Sequence, residues 1–123
     1  MCEPKDIAPS PVIYKIVPET LWREAKAKGR FEGAEIDRAD GFIHFSTALQ
    51  VRETAARHFA GQDDLVLVAV DAAPLGDRLR FEPSRGGDLF PHLYGDLPLD
   101  TVLWETPLDR GDDGVHQFPE IGA

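Results

Sequence analysis

The sequence predicts a single α+β domain, and three observations lead to that class. The chain has 123 residues, 42% of them apolar and 9% aromatic, which suffices for one hydrophobic core but not for a second domain. Strand and helix patterns follow one another as β, α, β, α, and further strand patterns fill the second half. Residues 65–70 are all apolar, which is typical of a central strand buried on both faces. We therefore expect one domain over residues 12–119, between a flexible leader (1–11) and a short tail (120–123).

The first strand and the first helix are predicted for residues 12–28. β-Branched and aromatic residues fill 12–17, and Pro18 ends that strand and suits a first helical position. Gly29 is a suitable stop for the helix. The apolar face of this helix has three- and four-residue spacing and consists of Leu21, Trp22 and Ala25. Residues 29–41 are charged and glycine-punctuated without a sustained period, so they predict a loop.

A second strand and a second helix are predicted for residues 42–61. The strand covers 42–46, and Thr47 and Gln50 match a capping box, in which Thr47 caps the helix and Gln50 reaches back. The helix is therefore expected to start at Thr47 and to end at Gly61. Its apolar side consists of Leu49, Ala55, Ala56 and Phe59.

The second half of the domain is predicted to consist of strands. Residues 65–70 form the core strand, and residues 78–82 alternate between charged and apolar side chains. The alternation places Leu79 and Phe81 toward the core, and Arg80 and Glu82 on the opposite face. Shorter extended segments are expected over 89–94 and 101–106.

Composition and charge exclude several classes of partner. The formal net charge is −9 and the sequence pI is near 4.7, without a basic cluster, so we expect no nucleic-acid partner. A small anionic ligand is still allowed, because a local site can be positive inside an acidic protein. The single cysteine, Cys2, permits no intrachain disulfide, which favours a cytoplasmic location. No signal-peptide pattern or membrane-length apolar run occurs, so no membrane partner is expected, and the oligomeric state is left open.

The stretch DGFIHFST at residues 40–47 is the most informative for function. Because strand side chains alternate, three of its side chains share one face: Phe42, His44 and Ser46. His44 and Ser46 then lie beside the amino end of the second helix, where backbone N–H groups favour a phosphate or a carboxylate. The alternative is structural: Thr47 caps the helix, Ser46 ends the strand, and His44 is a hydrogen-bonded, half-buried residue.

The stretch FPHLYG at residues 90–95 is a second candidate site segment. In an extended chain His92 and Tyr94 point to the same side, and Gly95 allows a ligand to approach the backbone closely. The alternative is a turn shaped by Pro91 and Gly95, with Tyr94 covering the edge of the core.

Arg80, Glu82 and Tyr14 are further candidates for the same cleft. An arginine can hold a phosphate through two hydrogen bonds, and a glutamate can act as a base, although such a pair is also typical of the solvated face of a strand. Tyr14 can form a wall of the cleft or belong to the core. The four histidines lack metal-ligand spacing, so no metal site is predicted, and no hydrolase, NTPase or Rossmann motif occurs.

With these motifs the chain resembles the family known as domain of unknown function 952. The resemblance covers residues 14–119 and rests on the stretches at 40–47 and 90–95, together with Gln50 and Thr54. That family looks like a compact relative of the ADP-ribosyltransferase fold, which has a split and strongly bent sheet with helices. Enzymes of that fold hold NAD in the cleft between the two halves of the sheet.

The resemblance also implies roles for individual residues. It places Ser46 and Thr47 in contact with NAD, because they correspond to the aromatic-x-Ser-Thr-Ser element of those enzymes. The glutamate motifs E-x-E and Q-x-E do not occur in the sequence. The implied catalytic glutamate therefore falls on Glu82 or on Glu105.

Together these observations predict a domain that binds a nucleotide such as NAD or ADP-ribose, with ADP-ribosyl-type transfer as its reaction. NAD is expected as a ligand or a substrate, and no other cofactor is specified. The expected roles are cofactor contacts for Ser46, Thr47, Gln50 and Arg80, ring stacking for Tyr14 and Tyr94, and acid, base or donor chemistry for His44, His92 and Glu82. The alternative is a non-catalytic binding or interaction domain that retains the cleft. Either function requires both motifs to meet at one crevice, with free backbone amides at its floor.

Overall fold

Two three-stranded antiparallel sheets form the framework of the computed structural model, which describes residues 11–84 and 87–121. The strands are β1 (Val12–Pro18), β2 (Arg30–Phe31), β3 (Ile43–His44), β4 (Leu65–Asp71), β5 (Leu79–Pro83), β6 (Leu89–Leu93), β7 (Leu97–Pro98) and β8 (Val102–Pro107). The α-helices are α1 (Glu19–Lys28), α2 (Glu35–Asp40) and α3 (Val51–His58), and 3₁₀ helices span Ala73–Arg78 and Leu99–Thr101. The sheet orders are β1-β4-β8 and β3-β6-β5, with a two-stranded β2-β7 ribbon.

The predicted α+β class is confirmed, with antiparallel sheets and few helices. Most of the predicted leader and half of the predicted tail lie outside the described residues. Within the described ranges, no helix has the length and apolar character needed to cross a bilayer.

β4 is the central strand of the first sheet and is buried on both faces, as its apolar sequence predicts. Its side chains alternate between two apolar clusters: Val66, Val68 and Val70 on one side, Leu65, Leu67 and Ala69 on the other. The first cluster contains Trp22 and Phe31, whose rings meet edge to face at 5.7 Å. The second contains Val51 and Ala55 of α3, so the helix covers that face of the sheet.

Among the described residues, one backbone bridge joins the first sheet to the second. Tyr14 of β1 and Ser46, two residues after β3, exchange backbone hydrogen bonds of 2.8 Å in each direction. The same antiparallel register would next pair Ile16 with His44, but the ladder stops at this point. The ammonium of Lys15 donates to the carbonyl oxygen of His44 instead, at 2.8 Å. The two sheets therefore separate beyond the bridge and leave a cleft between β1 and β3.

The stretch 29–41, predicted to be a loop, contains the helix α2. This prediction was wrong because six residues are too few to show a helical period. The carboxylate of Asp37 fixes the start of the helix by accepting a hydrogen bond from Ala34 N at 2.7 Å. The backbone bends on either side of α2 at Gly33 and Gly41, whose φ angles are +103° and +87°.

The helix predicted to begin at Thr47 is α3, which begins at Val51. The start that the capping box predicted was therefore wrong. The intervening residues form a turn in which the N–H groups of Gln50 and Val51 both donate to the Thr47 carbonyl oxygen at 3.0 Å. The predicted reach of Gln50 back to Thr47 is confirmed, since its Oε1 accepts from Thr47 N at 3.0 Å. Its amide group also donates to Leu89 O at 2.8 Å, which ties the turn to β6.

Phe81 is the exception to the alternation predicted for β5. Leu79 packs against the first apolar cluster, whereas Phe81 is 45% exposed. β5 is the edge strand of its sheet, and the apolar cluster beneath that sheet extends to Leu79 but does not include Phe81.

Candidate functional site

One face of the β3-β6-β5 sheet collects the polar residues of both sequence motifs. In the register of this sheet His44 lies opposite His92, and His92 lies opposite Arg80. The rings of the two histidines meet edge to face at 5.5 Å. The alternation predicted for three separate stretches of sequence therefore places them on one surface, and the two motifs come together as expected.

A cavity of about 560 Å³ occupies the cleft where the two sheets separate. Its apolar walls are formed by Tyr14, Ile16, Ile36, Phe45, Val51, Phe59 and Phe90. Its polar lining consists of Lys15, Asp37, His44, Ser46, Thr54, His58, Ser84 and His92. This volume lies within the range typical of small-molecule sites, and the lining has their usual composition of apolar walls with a few convergent polar groups.

Asp37 is the centre of a buried polar network at one end of the cavity. Its side chain is 1% exposed and accepts from His44 Nδ1 at 2.6 Å and from His44 N at 3.1 Å. The ammonium of Lys15, itself only 10% exposed, lies 3.2 Å from Asp37 Oδ2. The carboxylate of Asp37 in α2 therefore joins β3, through His44, to β1, through Lys15.

The surroundings of Asp37 stabilise its ionised form. Burial raises the pKa of this carboxyl, but the hydrogen bond from His44, the charge of Lys15 and the backbone N–H groups of Ala34 and His44 outweigh burial and lower it to about 2. Burial lowers the pKa of Lys15, and the neighbouring carboxylate opposes that shift. The pair is a buried ion pair whose charges depend on each other.

This pKa gives a direct prediction for acid titration. Because the value in the folded protein, about 2, lies below the ordinary 3.8, ionised Asp37 stabilises the fold. The contribution is complete above about pH 4 and is lost as the pH falls through about 2. A ¹³C NMR titration of the carboxyl group is expected to give a midpoint near 2. A midpoint near the ordinary value would contradict the network described here.

His92 forms the second polar centre of the site. It is 4% exposed, and its Nδ1 lies 2.9 Å from Glu82 Oε1. Tyr94 OH donates to the same oxygen at 2.7 Å, and these hydrogen bonds, from Tyr94 and then His92, lower the pKa of Glu82. The Nε2 atom of His92 is buried and has no hydrogen-bond partner among residues 11–84 and 87–121. Buried polar atoms are nearly always paired, so an unpaired nitrogen at this position is unusual.

Phe42 covers the histidine pair. Its ring stacks on His92 at 4.1 Å and lies 4.7 Å from the ring of His44 and 5.3 Å from that of Tyr94. The His92 imidazole is therefore held between the stacked ring of Phe42 and the carboxylate of Glu82.

Ser46 and Thr47 differ from their predicted roles as a phosphate cradle. Ser46 N donates to Tyr14 O at 2.8 Å and Thr47 N donates to Gln50 Oε1 at 3.0 Å, so the chain itself uses these amides. These two amides are therefore not free for a ligand, because the bridge between the sheets and the Gln50 side chain take them. Ser46 still lines the cavity with its hydroxyl, which is hydrogen-bonded to Thr54 Oγ1 at 2.9 Å.

The other predicted site residues divide between the cavity and its margin. Tyr14 lines the cavity, with its ring 6.1 Å from that of Trp104. Tyr94 is 37% exposed and lies beside the Glu82 carboxylate, and the guanidinium of Arg80 lies over its ring at 5.1 Å. The residues outside the cavity lining are Thr47, Gln50, Arg80, Glu82 and Tyr94.

Glu105, the other glutamate considered, lies away from the cavity. Its carboxylate accepts from Trp22 Nε1 at 2.7 Å and pairs with Lys26 at 3.3 Å. Of the two candidates, only Glu82 contacts a residue that lines the cavity.

The sequence reasoning missed Asp37 and did not assign roles to Lys15 and Asp40. A weak signal exists for Asp37, which stands three residues after Ala34, at the position from which a carboxylate reaches back to the helix start. No pattern in the sequence indicated that Lys15 is buried, because a lysine in a strand usually faces solvent. Across residues 11–84 and 87–121, no group of three or more potential metal ligands lies close enough to hold an ion.

Comparisons with known proteins identify relatives of this chain. A family profile described as "Protein of unknown function (DUF952)" matches residues 16–105. The crystal structure of protein CC0527 from Caulobacter crescentus is 55% identical, with a TM-score of 0.83 over 86% of this chain and 93% of that chain. A crystal structure of its double mutant is 54% identical, with a TM-score of 0.82 and the same two coverages. The solution NMR structure of CC0527 is 55% identical, with a TM-score of 0.78 over 86% of this chain and 91% of that chain.

These comparisons show the family and leave the activity open. The descriptions of the relatives name no activity or ligand, and they give no support to the expected likeness to ADP-ribosyltransferases. A comparison with curated proteins gives no significant match. Because the profile covers most of the chain and the CC0527 structures are more than half identical to it, the chain belongs to the DUF952 family.

Proposed function

We propose that the cavity binds a small anionic nucleotide-like ligand, such as NAD or ADP-ribose. The observation that carries this proposal is that His92, a residue that lines the cavity, has a buried Nε2 without a hydrogen-bond partner among the described residues. Leaving such an atom unpaired costs free energy, and a ligand that bonds to it recovers that cost.

The partner of His92 also specifies what the ligand must offer. Because Glu82 is a carboxylate, it accepts a hydrogen from Nδ1 of His92. In the neutral imidazole the other nitrogen, Nε2, is then an acceptor. A ribose hydroxyl or a carboxamide N–H, both present in NAD, would supply the matching donor.

The rest of the cavity suits the other parts of a nucleotide. Aromatic side chains of Tyr14, Phe45 and Phe90 offer walls for a planar base. The ammonium of Lys15, which contacts Asp37 and His44 O, lines the cavity and adds a positive charge that favours an anionic ligand. Of the residues predicted to contact the ligand, Ser46 adds a hydroxyl at the same wall.

A second candidate function, transfer of ADP-ribose, is favoured by the contact between Glu82 and His92. A carboxylate that orients an imidazole raises its strength as a general base. His92 Nε2 would take the proton of an acceptor hydroxyl while that oxygen forms a bond to the ribose C1 of NAD. The bond from C1 to nicotinamide breaks, and nicotinamide leaves as a neutral molecule. His44, whose ring lies 5.5 Å away, would act as a donor to the ligand.

Isothermal titration of the protein with NAD, ADP-ribose and AMP tests the binding proposal. We expect heat of binding with at least one of them. In H92N the Kd should be about tenfold higher, although the asparagine amide retains the bond to Glu82. The matched control is H116Q, because His116 is also buried and its Nε2 already contacts Gln62 O at 2.9 Å. No heat with any of the three compounds, or equal affinity in H92N, would refute the proposal.

Release of nicotinamide from NAD separates a transferase from a binding domain. If the domain is a transferase, E82Q should release nicotinamide at least tenfold more slowly with little change in Kd, because Glu82 orients the base. E53Q is the control, since Glu53 pairs with Arg57 on the surface of α3. Tight binding without release in the wild-type protein would establish the non-catalytic binding domain instead.

A further inference from the structure

We propose that Nε2 of His44 is a subsite for an anionic group of the ligand. In this structure the carboxylate of Asp40 occupies that subsite. The inference deepens the proposed function, and rests on it for the identity of the ligand. It assigns the phosphate of a nucleotide-like ligand to His44 and leaves the sugar hydroxyl or amide to His92.

His44 has one permanent partner and one replaceable partner. Its Nδ1 lies 2.6 Å from Asp37, whose side chain is 1% exposed and bonded on several sides. Its Nε2 lies 2.9 Å from Asp40 Oδ2, and the Asp40 side chain is 46% exposed. Both contacts are hydrogen bonds only when both ring nitrogens carry hydrogens. The buried carboxylate fixes the orientation of the ring, and Nε2 lies within ion-pair distance of the outer carboxylate.

Asp40 is weakly held at this position. It is the last residue of α2, and Gly41 follows it with a φ angle of +87°. In the part of the chain that the structure describes, no other side-chain contact of Asp40 is seen. An exposed ion pair with one contact contributes little to stability, so a better-placed anion can displace it.

The charges around the subsite explain why displacement favours an anion. When both ring nitrogens of His44 carry hydrogens and Asp40 is in place, the charges of Lys15 and His44 are balanced by Asp37 and Asp40. When Asp40 moves away, the two cations face one buried carboxylate, which leaves a net positive charge at the cavity wall. Because His44 lines the cavity, the rest of a molecule whose phosphate bonds to Nε2 would extend into the cavity.

Binding of inorganic phosphate, followed by ¹⁵N NMR of the histidine side chains, tests the subsite. D40N removes the competing charge and is expected to bind phosphate at least fivefold more tightly than the wild type, with the largest shift at His44 Nε2. D100N is the matched control, because Asp100 is an exposed aspartate outside this cluster, and it should match the wild type. H44Q should lose the phosphate response while retaining its melting transition.

The outcomes separate this inference from the proposed function. Equal or weaker phosphate binding by D40N, or no binding by any variant, would overturn the subsite. Because the probe is phosphate alone, a protein that binds phosphate as described but no nucleotide would retain the subsite and refute the nucleotide proposal. Nucleotide binding that is unchanged in D40N would retain the nucleotide proposal and refute the role of Asp40.

Discussion

Replacing Asp37 with asparagine is expected to destabilise the folded domain by about 3–5 kcal/mol. The substitution preserves the size of the side chain but removes its charge, so the Lys15 ammonium remains buried without a counter-charge. The same change weakens the 2.6 Å contact that orients His44. Urea denaturation at neutral pH measures the loss, as a fall in the midpoint with an unchanged slope.

D40N is the matched control for that experiment. Asp40 pairs with the other nitrogen of the same histidine but is 46% exposed, so its replacement should change the free energy of unfolding by less than about 1 kcal/mol. Similar losses in the two variants would show that burial does not distinguish the two carboxylates, contrary to the structure. A double variant, K15M/D37N, is expected to recover part of the loss, because no charge is then left unpaired.

Replacing Gly33 with alanine is expected to cost about 2–5 kcal/mol, for two separate reasons. The φ angle of Gly33 is +103°, which a residue with a Cβ atom rarely adopts. An added Cβ would also lie 2.9 Å from Asp37 Cβ and 3.4 Å from Ile43 Cγ1, so α2 or β3 would have to move. Thermal and urea unfolding measure the cost, and the His44 side-chain NMR signals report the displacement of Asp37.

Gly41 supplies the control for the steric part of this effect. Its φ angle is +87°, but an added Cβ meets nothing within 4 Å. G41A should therefore show only the backbone cost, about 1–2 kcal/mol. The difference between the two variants measures the contact with Asp37, and equal losses would mean that the close approach at Gly33 has no energetic consequence.

Both predictions concern a network that holds the candidate site together across three elements. Asp37 comes from α2, His44 from β3 and Lys15 from β1, and the cleft lies where β1 and β3 separate. A substitution that disturbs the buried carboxylate should therefore affect stability and ligand binding together. H92N, on the neighbouring strand, should affect binding with a smaller effect on stability.

Much of the site surface was predictable from the sequence because strand geometry is local. The alternation of side chains in β3, β5 and β6 depends only on neighbouring residues, and it correctly grouped His44 with Ser46, His92 with Tyr94, and Arg80 with Glu82. Gln50 reached back to Thr47 as its spacing predicted. The apolar stretch of β4 likewise identified the central strand, since burial on both faces requires apolar residues at every position.

The features that define the cleft depended on contacts between residues distant in the chain. Lys15 and His44 are 29 positions apart, and the ammonium meets the carbonyl only because the bridge at Tyr14 and Ser46 aligns their strands. Likewise the backbone amides of the predicted phosphate cradle were lost to the bridge and to a side chain.

The sequence by itself therefore determined the α+β class, the central strand, and which polar residues share a face. Only the tertiary structure decided that the sheets separate, that Asp37 is buried beneath His44, and that His92 Nε2 remains unpaired. The physical reason is that side-chain direction within a strand is set by local geometry, whereas hydrogen-bond partners and burial are set by the elements that pack against it.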